Sequence, residues 1–196
     1  MLLLTCNDRI CRGSGPLLLK DHFSGEAQDW PGSGDNDHQP PVRITWGGLV
    51  SLSPREVFLR LVHGVAGGNF DELPDLYGEV TDVRHPMATP ESEPLTSRRA
   101  LQEHFTVPPE ARESLPKRRV VDVVVHETAD PEVIVAEFAY EFTLPDDSTS
   151  KVPCVFVMRV RDGQIIESRD YIDPIRTYTA RGDLDLLIAS LRRDVS

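Results

Sequence analysis

The residues of this chain that could do chemistry include a carboxyl near its end, in the stretch GQIIESRDYIDP at residues 163–174. Side chains alternate along a β-strand, so one strand face is predicted to carry Gln164, Ile166, Ser168, Asp170 and Ile172. Asp170 stands in that row where an apolar residue is expected. Such a carboxyl is either a pocket acid or hydrogen-bond acceptor, or a structural group bonded to backbone N–H groups or to Arg176.

A second candidate, Tyr140, lies on an apolar strand face. The stretch at residues 133–144 alternates so that this face is formed by Ile134, Ala136, Phe138, Tyr140 and Phe142. The Tyr140 hydroxyl needs a polar partner. That partner is a ligand oxygen if the face lines a pocket, and a backbone carbonyl if the face belongs to a packed core.

Composition excludes several classes of function. The 196 residues include 32 acidic and 21 basic ones, a net charge of -11, which repels nucleic acid. No apolar run approaches the ~20 residues that span a bilayer. Three cysteines without paired spacing and six scattered histidines predict neither a disulfide framework nor a metal site. We therefore expect a cytoplasmic protein without a metal or a cofactor.

The chain changes character near residue 50. Residues 1–50 are predicted to be a disordered tail, because residues 21–42 are rich in Gly, Pro, Asp and Ser and show no periodicity. Residues 51–181 are predicted to form one domain. Residues 182–196 are predicted to add a helical extension.

Helices open this domain and strands close it. Ser53-Pro54-Arg55-Glu56 is a capping box that starts a first helix, and Gly67-Gly68 ends it. A short helix at 70–77 and a helix after Thr96 or Ser97 follow. Strands are predicted at residues 119–127, 133–144, 152–161 and 164–172, the last two joined by an Asp162-Gly163 hairpin turn. This order predicts an α+β fold with three N-terminal helices on the concave face of a curved sheet.

Four stretches carry a family resemblance and occur in the family's order: GNFDELPDLYGEVTDVRHP, SRRALQEHF, DPEVIVAEFAYEFT and VFVMRVRDGQIIESRDYIDP. Through them the chain resembles the cone-shaped superfamily of SnoaL-like cyclases, ketosteroid isomerases, limonene epoxide hydrolases and nuclear-transport-factor-2-like proteins. The resemblance implies a mixed, mostly antiparallel sheet curved into a cone around a pocket. It also implies a homodimer formed through the outer face of the sheet. The outward rows, predicted as Val121, Val123 and Val125 with Val155 and Val157, are too apolar to leave wet.

The resemblance to limonene epoxide hydrolases implies that Asp170 points into the cone as a general base. Those enzymes also need an Arg and a second Asp on a neighbouring strand. Here that strand places Phe138 and Tyr140 at the two positions, which argues against epoxide hydrolysis.

The resemblance to ketosteroid isomerases implies a role for His85. Their proton-shuttling aspartate precedes a proline at the position of His85-Pro86, and an imidazole near its usual pKa of ~6.5 suits proton transfer at neutral pH. Their helix-one tyrosine aligns with Leu61. Tyr140 would then have to supply the hydrogen bond to a developing oxyanion.

These comparisons predict a catalytic set of His85, Asp170 and Tyr140. The predicted pocket-lining residues are Leu61, Tyr77, His104, Phe138, Cys154, Phe156 and Ser168. His104 is also consistent with a satisfied core histidine.

Two functions fit this set. One is a cofactor-independent isomerase, cyclase or dehydratase that acts on a small apolar polyketide- or steroid-like substrate by proton transfer. The other is a non-catalytic ligand-binding or dimeric assembly module of the same fold. Catalysis requires the side chains of His85 and Asp170 to converge.

Overall fold

The first helix begins and ends where the sequence provides caps. A computed structural model of the protein describes residues 51–112 and 114–194, and the predicted tail at 1–50 lies outside them. Helix α1 spans Pro54–Gly67 and has the predicted capping box. The Glu56 N–H donates to Ser53 Oγ at 3.3 Å, and the Ser53 N–H donates to Glu56 Oε2 at 2.8 Å. Gly68 ends the helix with a φ of 78°, in the left-handed region that favours glycine.

The other helices are shorter. A 3₁₀ helix follows α1 at Phe70–Leu76. The remaining α-helices in the described residues are α2 (Arg98–Phe105), α3 (Pro109–Arg112), α4 (Pro174–Arg181) and α5 (Leu184–Asp194). Helix α4 is a departure from the prediction: Asp173 caps it by accepting the Arg176 N–H at 3.0 Å, and Pro174 suits the first helical position.

In residues 51–112 and 114–194, six strands form one mixed sheet, which confirms the predicted α+β class. They are β1 (Tyr77–Arg84), β2 (Leu95–Ser97), β3 (Arg118–Glu127), β4 (Val133–Thr143), β5 (Thr149–Arg161) and β6 (Gln164–Ile172). Their order is β2-β1-β6-β5-β4-β3. The turn between β5 and β6 has positive φ at Asp162 (52°) and Gly163 (79°), the primed geometry that this dipeptide favours in hairpins.

The one parallel pair in the described sheet positions the site. Strand β1 runs parallel to β6, with Val83 opposite Ser168 and Arg84 opposite Arg169, whereas all other neighbours are antiparallel. The residue that follows Arg84 therefore emerges beside the residue that follows Arg169. These are His85 and Asp170.

A β-bulge in β3 makes part of the predicted outer row of valines wrong. Val121 pairs with Ala139 but Val124 pairs with Glu137, so β3 holds one extra residue there, and Asp122 adopts a φ of 55°. The extra residue reverses the alternation. Val123 and Val125 consequently pack against the core, while Val124 is 50% exposed on the outer face.

A second register shift, between β5 and β6, makes the beginning of the predicted face of β6 wrong. Val160 pairs with Ile165 and Arg159 with Glu167, so Ile166 has no opposite residue. Ile165 rather than Ile166 is buried as a result, with no exposed surface. Beyond the bulge, Ser168, Asp170 and Ile172 share the buried face as predicted.

The core lies between the helices and one face of the sheet. Helix α1 packs against β3, β4 and β5, and α2 packs against β1 and the 3₁₀ helix. Phe58 of α1 contacts Phe138 and Phe156 edge to face, at ring-centroid distances of 5.4 and 6.4 Å. The predicted placement of all three N-terminal helices on the concave face stays a prediction. In the described residues, no helix is both long and apolar enough to cross a bilayer.

Candidate active site

His85 and Asp170 meet inside the cone. Their side chains approach to 3.9 Å between Nε2 and Oδ2, and their exposed fractions are only 9% and 7%. The parallel pairing of β1 with β6 brings them together from positions far apart in the chain. The two groups thus show the convergence that proton transfer requires, within reach of direct contact after a small movement or through one water.

Both groups line a small cavity together with three further polar side chains, Tyr77, His104 and Tyr140. Apolar side chains complete the wall, among them the predicted Leu61 and Phe156. The cavity has a volume of about 20 Å³, which is room for about one water molecule. In this structure the cavity is therefore too small for an organic substrate.

Three residues that the sequence predicted as pocket-lining lie behind this wall. Phe138 packs edge to face on Tyr140 and Phe156, at 5.2 and 5.0 Å. Cys154 is buried, and its Sγ–H donates to the carbonyl of Val152 at 3.5 Å. Ser168 is 1% exposed, and its hydroxyl donates to Asp170 Oδ1.

The wall also contains residues that sequence reasoning missed. They are Val65, Val83, Leu95, Leu101, Phe105 and Ile172. Most of them are apolar positions that the periodic pattern assigns to a core in general. Only the curvature of the sheet and the approach of α2 to β1 decide which of them face the cavity.

Burial sets the protonation states of the polar groups. Loss of solvent lowers the pKa of His85 to about 4 and that of His104 to about 3. It raises the pKa of Asp170 to about 7, although the hydrogen bond from Ser168 and the charge of Arg169 act in the opposite direction. The expectation that His85 keeps a nearly ordinary pKa is thus wrong. Asp170 is the group whose charge changes near neutral pH.

One nitrogen of the His85 ring is unpaired within the described residues. The ring stacks on His104 at a centroid distance of 5.4 Å with an interplanar angle of 26°. Its Nδ1 is buried and has no hydrogen-bond partner within residues 51–112 and 114–194. A buried polar atom left unpaired costs about 1–3 kcal/mol, so a ligand or water oxygen at this point would be stabilised.

The two tyrosines present hydroxyls to the same space. Tyr77 and Tyr140 are 2% and 3% exposed, and burial raises the pKa of each phenol above its ordinary value. Both O–H groups can therefore donate to an oxygen atom of a ligand.

The Arg118 guanidinium packs over the Tyr140 ring, a contact that was not predicted from the sequence. Its guanidinium carbon lies 5.5 Å from the Tyr140 ring centroid, and its Nη2 donates to the Val65 carbonyl at 2.9 Å. In the sequence Arg118 belongs to a short basic run, which is typical of a surface. The alternation of β3, however, assigns it to the same face as Val120, opposite Phe142.

The donor set offers little to a metal ion. In the described parts of the chain, no group of three or more His, Cys, Asp or Glu side chains has the arrangement to hold one. What the cavity contains is a set of proton donors and acceptors: one carboxyl that titrates near neutrality, two neutral imidazoles and two phenols.

The comparisons with known proteins identify the family and agree with the fold. The family model of the SnoaL-like domain matches residues 58–168, more than half of the chain. The protein therefore belongs to the SnoaL-like family. No curated protein sequence matches the chain significantly.

Solved structures with the same fold are distant in sequence. A candidate isomerase from Bacillus subtilis is 17% identical, with a TM-score of 0.56, over 66% of this chain and 93% of its own. A candidate polyketide cyclase from Xanthomonas campestris is 16% identical, with a TM-score of 0.50, over 65% and 96%. A hypothetical protein with a ketosteroid isomerase-like fold from Catenulispora acidiphila is 14% identical, with a TM-score of 0.50, over 65% and 92%. At these identities the likeness establishes the fold alone.

Proposed function

We propose that the protein is a cofactor-independent enzyme that moves a proton within a small, largely apolar organic substrate. The observation that carries this proposal is the buried approach of His85 to Asp170 beside the cavity that both residues line. Isomerisation, cyclisation and dehydration all need such a proton relay. Polyketide- or steroid-like carbonyl compounds have suitably acidic C–H bonds on the carbon atoms next to their carbonyl groups.

The relay works through both nitrogens of the imidazole. When Asp170 is ionised, His85 carries its proton on Nε2 and offers the lone pair of Nδ1 to the substrate. Nδ1 takes a proton from substrate carbon while Nε2–H passes its proton to Asp170 Oδ2. The reverse transfer returns a proton to a different atom of the substrate, so the enzyme ends in its initial state.

The pKa of about 7 for Asp170 suits this cycle. General acid–base catalysis is most efficient when the pKa of the group lies near the working pH. A neutral His85, with its pKa lowered to about 4, connects the two partners without storing the proton itself.

Tyr77 and Tyr140 would stabilise the oxygen that gains negative charge when the proton leaves. Phenol donors act strongly in a dry, apolar surrounding, because no water competes for the oxyanion. The paired donors replace the helix-one tyrosine of ketosteroid isomerases, whose position holds Leu61 here.

A substrate larger than one water needs more room than the cavity has in this structure. Two cavity residues, His85 and Leu95, stand at the ends of the loop formed by residues 86–94. Movement of this loop would open the cavity between them. We therefore expect substrate binding to be accompanied by a rearrangement of residues 86–94.

Proton transfer can be tested before the substrate is known. Purified protein in D2O is incubated with cyclic ketones and β-keto esters of increasing size, and the loss of α-proton signals is followed by NMR. We expect exchange above the buffer rate with at least one carbonyl compound, and a fall of about 10²–10⁴-fold in His85→Ala and Asp170→Asn. His126→Gln, which alters an exposed histidine bonded to Glu137, serves as the control. Equal exchange rates in all four proteins would remove the pair from the mechanism.

The second candidate is a ligand-binding or assembly module without chemistry. One observation, the cavity volume of about 20 Å³, favours the assembly role, because such a cavity holds no organic ligand without a rearrangement. Under this proposal the polar groups serve as hydrogen-bond partners, and no carbonyl compound exchanges its protons. Chemical-shift changes on binding, with no exchange, would support this candidate.

We further propose a homodimer that forms through the outer face of the sheet. Val124, Glu137, Val155 and Tyr171 are opposite one another on four adjacent strands and form one row across that face. Val124, Val155 and Tyr171 are 50, 36 and 38% exposed, so three of the four members of the row leave apolar surface for a second copy to cover. The three cysteines of the sequence, which have no paired spacing, support a cytoplasmic location.

A further inference from the structure

Ser168 is an unusual residue for the position it occupies. It lies on the buried face of β6, opposite Met158 of β5 and Val83 of β1, which are 0% and 1% exposed. Ser168 itself is 1% exposed. Within the described residues its hydroxyl bonds to one partner, Asp170 Oδ1, two positions further along the same face. An apolar side chain would fill this space at a lower desolvation cost.

Because of the hydrogen bond from Ser168, the two oxygens of the Asp170 carboxyl have different neighbours. Oδ1 is occupied by the serine hydroxyl, and Oδ2 is the oxygen that faces His85 Nε2 at 3.9 Å. A carboxyl held at one oxygen cannot rotate freely about its last torsion. The other oxygen therefore keeps a fixed direction toward the imidazole.

We infer that Ser168 is a positioning residue, which holds Asp170 Oδ1 so that Oδ2 alone exchanges the proton with His85. The inference rests on the proposed function, because it assigns a role within the same relay. Ser168 does not line the cavity and does not touch a substrate. It acts only through Asp170.

The bond also has an electrostatic consequence. A hydroxyl that donates to a carboxylate favours the ionised form and opposes the effect of burial. Other groups act on Asp170 or share its cavity, and each must stay unchanged in a test: Tyr77 and His85 on or after β1, His104 on α2, Tyr140 on β4, Cys154 on β5 and Arg169 on β6. A variant at Ser168 leaves all of them in place.

The experiment measures the ionisation of Asp170 directly. Full-length protein labelled with carbon-13 at the aspartate carboxyls is titrated by NMR, and the Asp170 signal is assigned by its loss in Asp170→Asn. In Ser168→Ala we expect the titration midpoint to rise by about one pH unit or more, a change of tenfold or more in the ionisation constant. Ser168→Thr, which keeps the hydroxyl, is expected to stay close to the wild-type midpoint.

Two further variants separate positioning from packing. Ser168→Cys keeps the approximate size of the side chain but is a weaker donor, so an intermediate midpoint is expected; it also replaces Ser168→Ala if that variant does not fold. Thr177→Val removes another buried hydroxyl, which donates to the Asp173 carbonyl at 2.7 Å, and should leave the midpoint unchanged. A merely structural serine would lower stability without moving the Asp170 midpoint.

The outcomes distinguish this inference from the proposed function. A midpoint that does not move in Ser168→Ala or Ser168→Cys overturns the role of Ser168, whatever the exchange assay gives. If the midpoint shifts but the protein exchanges no substrate proton, the result supports the positioning of Asp170 by Ser168. The same result counts against the proposed enzymatic function. A shifted midpoint together with an equal shift of the pH dependence of proton exchange supports both.

Discussion

His85 and Asp170 become neighbours because Arg84 of β1 stands opposite Arg169 of β6 in a parallel pair. The pair is reinforced from outside the cavity: Arg169 Nη1 donates to the Asp82 carbonyl and its Nη2 to the Asp82 carboxylate, each at 2.7 Å. The residues that flank the site on its outer side thus hold the two strands in register. This contact therefore also aligns the buried side chains of His85 and Asp170.

Asp170 is expected to reduce stability as the pH rises. Its pKa is raised from 3.8 in the unfolded chain to about 7 in the folded protein, so the folded state binds more protons between these values. The free energy of unfolding therefore falls as the pH rises through this window, by at most about 4 kcal/mol. Asp170→Asn removes this dependence. Urea unfolding should find the variant close to wild type near pH 4 and more stable than wild type above pH 7.

The matched control is Asp147→Asn, which changes an exposed carboxylate in the turn between β4 and β5. This variant leaves Asp170 in place, so it should keep the fall in stability assigned to Asp170. A constant difference between Asp170→Asn and wild type from about pH 4 to about pH 8 would contradict the raised pKa.

His85 is expected to act in the opposite direction. Its pKa is lowered from 6.5 to about 4 on folding, so below pH 6.5 the unfolded chain binds the additional proton. Stability that is present above pH 6.5 is then lost as the pH falls toward about 4, by roughly 3 kcal/mol. His85→Gln should lose less stability than wild type over this range in urea unfolding. Parallel curves for the two proteins would show that His85 is solvated in the folded state.

Arg118 is expected to contribute to stability although it is a cation inside the fold. Arg118→Met keeps the length of the side chain but removes the donors to the Val65 carbonyl and the cation above the Tyr140 and Phe142 rings. We expect a loss of about 1–3 kcal/mol in chemical unfolding. Arg99→Met is the control, since Arg99 is 86% exposed and pairs with Glu103 one turn away, and such pairs contribute little. Equal losses in the two variants would count against the role of Arg118.

The extent of sequence-based prediction differs between the fold and the site. The capping box at Ser53, the hairpin at Asp162-Gly163 and the long strands are local features, and the structure has each of them. The bulge that exposes Val124 instead of Val123 depends on Asp122 adopting a positive φ, which no periodic pattern reveals. One inserted residue reverses a whole face, so the outer row could not be read from alternation alone.

The site depends even more on tertiary structure. The sequence suggested His85 and Asp170 separately, through resemblance to two different families. Their contact follows from the closure of β1 onto β6, and their shifted pKa values follow from burial among residues of α1, α2 and the sheet. Ser168 was predicted to line the pocket, but its bond to Asp170 requires a defined side-chain direction that alternation only permits.

The proposed dimer is expected to depend on the row of Val124, Glu137, Val155 and Tyr171 on the outer face. Val155→Glu places a carboxylate directly beside Glu137, in the centre of that row. Two copies facing each other would then bury like charges, which we expect to weaken association by at least about tenfold. Light scattering and sedimentation at micromolar concentration should find wild type as a dimer and Val155→Glu as a monomer. Val80→Glu is the control, because Val80 is 79% exposed on β1 but lies outside the row. A monomeric wild-type protein, or a Val155→Glu variant that still dimerises, would exclude the outer row as the interface.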